Sequence, residues 1–147
     1  MVELALPRGA HTILDLDING LYILLSEQGL AYRWHWGLYL HKEKERGYAL
    51  HITWPSDAVL AVPVDDAADA NAAAARERWG PLTCRTWLLR TLSELHDEGY
   101  ISIKPAATVE EVEEEALSLA GSNAADVQGG KQLGAKDKVY RSVYSVA

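Results

Sequence analysis

The sequence has no phenylalanine and one cysteine in 147 residues. A lone cysteine cannot close an intramolecular disulfide, which excludes a disulfide-stapled scaffold. It also excludes structural zinc sites that need two or more cysteines. Basic residues are the minority, with 14 Lys and Arg against 21 Asp and Glu and a formal net charge of -7. At a pI of about 5.2, that balance argues against nucleic acid or an anionic membrane surface as partner. No run of about eighteen apolar residues occurs, so no segment predicts a bilayer span. The opening residues Met1 to Pro7 have neither a basic n-region nor a long apolar stretch. A secretory signal is therefore not expected, and the expectation is a soluble cytoplasmic protein.

What is there reads as one ordinary globular domain over 1–147, since 48% of residues are hydrophobic and 24% charged. Trp and Tyr carry the aromatic load. Trp34, Trp36, Leu38 and Leu40 alternate with Arg33, His35, Gly37, Tyr39 and His41. That period of two predicts a half-buried strand over 32–41. Lys42 to Gly47 forms a charged turn, and Tyr48, Leu50, Ile52 and Trp54 then alternate with Ala49, His51 and Thr53. Together these segments predict an antiparallel hairpin. A further strand is expected over 58–64, interrupted by Pro63. Upstream, the stretch 20–28 fits a helix capped by Asn19 or a buried strand, and periodicity does not separate the two.

Helical signals dominate the second half. Seven of the nine residues over 67–75 are alanine, predicting a loop or weak helix that stops at Gly80-Pro81. Thr83 predicts an N-cap. Cys84, Trp87, Leu88, Thr91, Leu92 and Leu95 then form an apolar stripe at helical spacing, ending before Gly99. Thr108 and Glu111 form a capping box for a second helix through Ala120. A Gly- and Ala-rich mobile linker is expected over 121–137, and an alternating last strand over 138–146.

Cys84 falls in the first turn of its helix, where unpaired N–H groups and the helix dipole favour a thiolate. It also falls on the apolar stripe, and free cysteine is among the most buried residue types. Both readings stay open. His35 and His51 sit on adjacent strands, and a hairpin centred on Glu43 puts them directly opposite. One imidazole then orients the other, whereas a one-residue slip separates the faces. The plainer alternative is two solvated histidines. His41 is expected exposed at the turn, His96 suits the dipole at a helix C-terminus, and His11 has no context. His35, His51 and Cys84 are ligand types for zinc, but their spacing matches no zinc motif. The acidic run Glu110 to Glu115 reads as the solvated face of a helix. No Gly-rich phosphate loop, GxSxG or HExxH occurs, and neither metal nor organic cofactor is expected.

The segment Trp34-His35-Trp36-Gly37-Leu38-Tyr39-Leu40, then His51, then Leu82-Thr83-Cys84-Arg85-Thr86-Trp87-Leu88 resembles the circularly permuted papain-like thiol fold. Its relatives include the lecithin–retinol acyltransferase-like proteins, NlpC-type peptidases and PPPDE-type isopeptidases. The closest likeness is to small fungal proteins with a His-Trp strand and a Cys-x-x-Trp helix start. The resemblance covers residues 30–100. It implies Cys84 as nucleophile, His35 as general base and His51 as the residue orienting His35. The Thr-Cys-Arg-Thr context departs from the Asn-Cys-Glu-His of the acyltransferases.

The resulting expectation is an α+β domain, with an antiparallel sheet over 32–64 packed against the Cys84 helix. Its activity is that of a Cys–His thiol enzyme. Cys84 attacks an ester, thioester or amide carbonyl of a small-molecule or peptide substrate, and backbone N–H groups at the helix start hold the oxyanion. Two rivals stand beside it. One is a non-catalytic protein-interaction module using the Trp residues and the sheet face. The other is a cofactor-independent cyclase or isomerase. The aromatic-rich sheet also leaves room for a homodimer contact.

Overall fold

A computed structural model describes residues 2–3, 16–44, 46–52, 70–134 and 136–146. His11, the strand expected over 58–64, and Trp54 lie outside the described residues. So does the start of the alanine-rich segment.

The architecture is α+β. Strands β1 (Val2–Glu3), β2 (Leu21–Gln28), β3 (Leu30–Glu43) and β4 (Arg46–Leu50) form an antiparallel sheet in the order β1-β4-β3-β2. Helices α1 (Ala70–Trp79), α2 (Cys84–Asp97) and α3 (Val109–Gln128) follow, with a 3-10 turn over Lys136–Lys138. Strands β5 (Ser102–Ile103) and β6 (Ser145–Val146) pair as a separate two-stranded sheet. The last strand therefore stands apart from the main sheet and is shorter than the alternation over 138–146 predicts.

The ambiguous stretch 20–28 is strand. Leu21, Ile23 and Leu25 lie opposite Leu40, Leu38 and Trp36, which extends one apolar face across two strands. Gly29 makes the turn into β3 at φ 69°, a backbone conformation that costs glycine little. The central strand β3 is the longest, pairing with β2 on one edge and β4 on the other. Its even-numbered side chains feed the core, with Trp36 and Leu38 almost fully buried. Leu88, Leu89 and Leu92 of α2, Ile103 of β5, and Val109 and Val112 of α3 complete that cluster. The helices thus cover a single face of the sheet.

Both expected caps form. Thr83 Oγ1 accepts the Thr86 N–H at 3.1 Å, and Thr86 Oγ1 accepts the Thr83 N–H at 2.8 Å. Thr108 and Glu111 exchange the same pair of bonds at the start of α3. Each satisfies donors that a helix start leaves unpaired. Helix α3 runs eight residues past Ala120, so 121–128 is helix and the linker reading fails there. Gly121 did not end it, because Ala124 is buried and Asn123 is anchored by Tyr140 and the Asp137 carbonyl.

The acidic run is also not simply solvated. Glu113 is buried and makes a two-pronged ion pair with Arg85 on α2, whose Nη2 donates to Oε2 at 2.9 Å. Glu115 holds the C-terminal segment. It accepts from Ser142 Oγ at 2.6 Å and from the Val143 N–H at 2.8 Å.

Candidate functional site

The residues singled out by sequence sort onto the two faces of β3. Side chains alternate along a strand. Since Trp36 and Leu38 point at the helices, His35, Gly37 and Tyr39 point away from them. Their neighbours on β2 are Ser26, Leu24 and Tyr22.

His35 and His51 meet on this outer face. His35 Nε2 and His51 Nδ1 are 2.9 Å apart, one nitrogen donating and the other accepting. The rings are 5.1 Å between centroids and meet edge to face at 86°. The contact is diagonal rather than directly across. In the ladder Leu38 lies opposite Leu50 and Tyr39 opposite Ala49, with an irregularity between His41 and Glu43. The hairpin therefore turns one residue later than a centre at Glu43 implies. Moving the centre by one moves each partner by two, and a two-residue shift keeps the face. Diagonal neighbours remain within reach of aromatic rings.

Gly37 makes the approach feasible. A Cβ at Gly37 would lie 3.3 Å from the His51 Cβ and 3.2 Å from the Leu50 carbonyl. Glycine is the residue that lets His51 lean across β3 toward His35. The pKa of His35 lies below its usual 6.5, first because burial disfavours the charged ring and second because a charged His51 repels it. His35 is therefore a neutral imidazole at neutral pH.

Cys84 is on the other side. It is the first residue of α2, half-buried, and it packs against the core cluster that Trp36 and Leu38 supply. The sheet lies between it and His35, so the structure does not bring the two together. The difficulty lies in the strand's own pattern. The feature that identified β3, its alternation of Trp and Leu with His, also directs His35 away from the helix side.

Of the other described histidines, His96 lies in the last turn of α2 as expected, and His41 differs from expectation. His41 is buried instead of exposed, because β3 continues past it and the chain from Asn19 flanks it. Its N–H donates to the Gly20 carbonyl at 3.0 Å, and its carbonyl accepts the Asn19 N–H at 2.6 Å. His96 Nδ1 accepts the Ile103 N–H at 3.2 Å, which ties the end of α2 to β5. The four described tryptophans lie in or against the core. Trp36 is core, and Trp34, Trp79 and Trp87 pack half-buried against it.

Among the described residues, no group of three or more His, Cys, Asp or Glu side chains converges as a metal cage. No helix there is long and apolar enough to cross a membrane. The shallow cleft between α3 and the C-terminal segment presents Glu111, Glu114, Glu115 and Arg141. Sequence reasoning missed Arg85, Glu113 and Gly37. Glu113 sits one position after Val112 and three before Ala116, at the edge of the apolar stripe, and that was its available signal.

No protein-family model, no curated protein and no solved structure matches the chain.

Proposed function

We propose that the chain is a non-catalytic protein-interaction module whose working surface is the outer sheet face around His35 and His51, with Cys84 as a packing residue. One observation carries this reading. Cys84 packs into the helix-side core while His35 leaves the sheet on the opposite side. A base activates a thiol only within hydrogen-bond reach, directly or through one water.

Alkylation of native protein with iodoacetamide at neutral pH tests it, followed by mass spectrometry. Labelling of Cys84 is expected to be slow and equally slow in His35→Ala. Fast labelling that slows when His35 is replaced overturns the reading.

A thiol enzyme acting on an ester, thioester or amide is the second reading, and two observations favour it. Cys84 opens α2 behind the Thr83 cap. The His35–His51 bond is also the contact by which one imidazole orients another as base. In that scheme His35 takes the thiol proton, Cys84 attacks the carbonyl, and water or an amine resolves the acyl-enzyme. It requires Cys84 Sγ and the His35 ring to come within reach on substrate binding. Activity against an ester and peptide panel, abolished in a folded Cys84→Ala variant, is its signature.

A further inference from the structure

We infer that strand β2 is a docking edge for a second copy of this chain, the two β2 strands pairing antiparallel about a two-fold axis at Ile23. The inference depends neither on the outer sheet face nor on the role of Cys84. β2 ends the order β1-β4-β3-β2, and among the described residues only β3 pairs with it. A free strand edge is a row of unpaired N–H and C=O groups, a template for another strand. Proteins guard such edges with Lys, Pro, bulges or very short strands. The opposite edge of this sheet is guarded in that way, since β1 has 2 residues. β2 has 8, and from Leu21 to Ser26 it carries no charge, no proline and no irregularity. Its first charge is Glu27, where the ladder also becomes irregular.

The ladder fixes which backbone groups face outward. The His41 N–H donates to the Gly20 carbonyl at 3.0 Å, so Gly20 is bonded to β3. Opposed residues of an antiparallel pair alternate between bonded and unbonded. Tyr22, Leu24 and Ser26 therefore bond to Tyr39, Gly37 and His35, and the N–H and C=O of Leu21, Ile23 and Leu25 point to the open edge. A two-fold at Ile23 sets Ile23 against its own copy and Leu21 against the second copy's Leu25. All of these residues face outward, so each opposed pair can exchange both of its backbone bonds.

Self-complementarity is what makes the occupant a second copy. Leu21-Tyr22-Ile23-Leu24-Leu25, laid antiparallel on itself, pairs apolar with apolar at every position. Centring one residue later sets Leu21 against Glu27 and Tyr22 against Ser26. Centring one residue earlier sets Leu24 against Gly20 and Leu25 against Asn19. The axis at Ile23 keeps Leu21, Ile23 and Leu25 on the helix side of one continuous sheet, and Tyr22 and the exposed Leu24 on its outer side. Charge agrees with this register. Glu27 falls against the second copy's Asn19, and Asn19 Oδ1 accepts from Lys42 Nζ at 2.6 Å. The carboxylate thus arrives beside an ammonium on the same face, and none of the opposed pairs sets like charges together.

The test uses the whole chain. Sedimentation equilibrium over a dilution series should show association from 16.2 kDa to twice that mass. Amide exchange followed by nuclear magnetic resonance needs no variant, and it should slow at Leu21, Ile23 and Leu25 as the dimer fills. Tyr22, Leu24 and Ser26, bonded to β3, should exchange slowly at every concentration. Leu24→Lys adds a guarding charge at an exposed position and should return the mass to 16.2 kDa, with circular dichroism confirming the fold. In a Cys84→Ala background, Ile23→Cys lies on the axis and should cross-link to its copy under oxidation. Leu24→Cys should not, because its copies are diagonal neighbours too far apart to bridge. A single-chain mass at the concentration of the exchange experiment would overturn the inference. So would a dimer whose Ile23 amide exchanges as fast as in the dilute chain, a dimer mass unchanged in Leu24→Lys, or no cross-link at residue 23. Slow exchange at Ile23 in a single-chain species would overturn it as well, since the chain's own residues would then cover the edge.

Discussion

His35 shows how a single residue's neighbours set its chemistry. Its folded-state pKa is lowered from 6.5, by burial first and by His51 second. Between that lowered value and 6.5 the unfolded chain binds a proton that the folded chain refuses. Stability therefore rises with pH through this window. The contribution is complete above 6.5 and is lost as pH falls through the folded-state value. Urea midpoints measured on either side of the window should fall on acidification less in His35→Gln than in the parent. An equal fall in both would remove His35 from the account. In His51→Gln, nuclear magnetic resonance titration should find the His35 pKa moved only part of the way back up, since burial is the larger cause. The two histidines were visible in the sequence as candidates, and their shared face followed from the two strand alternations. Their diagonal contact was not visible. It depends on an irregularity between His41 and Glu43 and on the missing side chain at Gly37, neither of which periodicity encodes.

At the scale of elements, helices α2 and α3 are joined by apolar packing and by one ion pair of unequal partners. The Glu113 side chain is 6% exposed and that of Arg85 is 52% exposed. The inequality makes the two deletions unequal. Arg85→Ala strands a buried carboxylate and should cost about 3 kcal/mol. Glu113→Ala leaves a guanidinium that water already reaches, and should cost on the order of 1 kcal/mol. Urea denaturation of both variants checks the order, and a larger loss in Glu113→Ala would contradict it. The caps of these helices were legible because Thr83 and Thr108 act over three residues of chain. The end of α3 was not. Gly121 is a local stop signal, and it was overridden by the burial of Ala124 and by side-chain bonds from a segment more than ten residues away.

At the scale of the molecule, the C-terminal segment is fastened by Tyr144 against the core, by the bonds of Tyr140 and Asp137 to Asn123, and by Glu115. Glu115 receives Ser142 Oγ and the Val143 N–H, and β6 adds its short pairing with β5. Arg141 pairs with Asp17 at 2.8 Å, but both side chains are exposed and such a pair contributes little. Glu115→Ala should therefore speed amide hydrogen exchange at Val143, Tyr144 and Ser145 while leaving Leu88 to Leu92 of α2 protected. Faster exchange throughout α2 would instead mean that the segment holds the whole fold.

The sequence alone determined the elements whose signals are short-range. The alternation of β3, the stripe and cap of α2 and the capping box of α3 each lie within a few residues, where backbone geometry and side-chain period suffice. With them came the α+β class and an apolar face for each element. Only the tertiary structure decided which face of the sheet the helices cover. Trp36 and Leu38 face α2, so His35 and His51 share the outer side and Cys84 belongs to the core side. The physical reason is that alternation defines two faces and names the more apolar one. It does not say which distant helix that face will meet, or whether a residue at that helix's start can reach round to the other side.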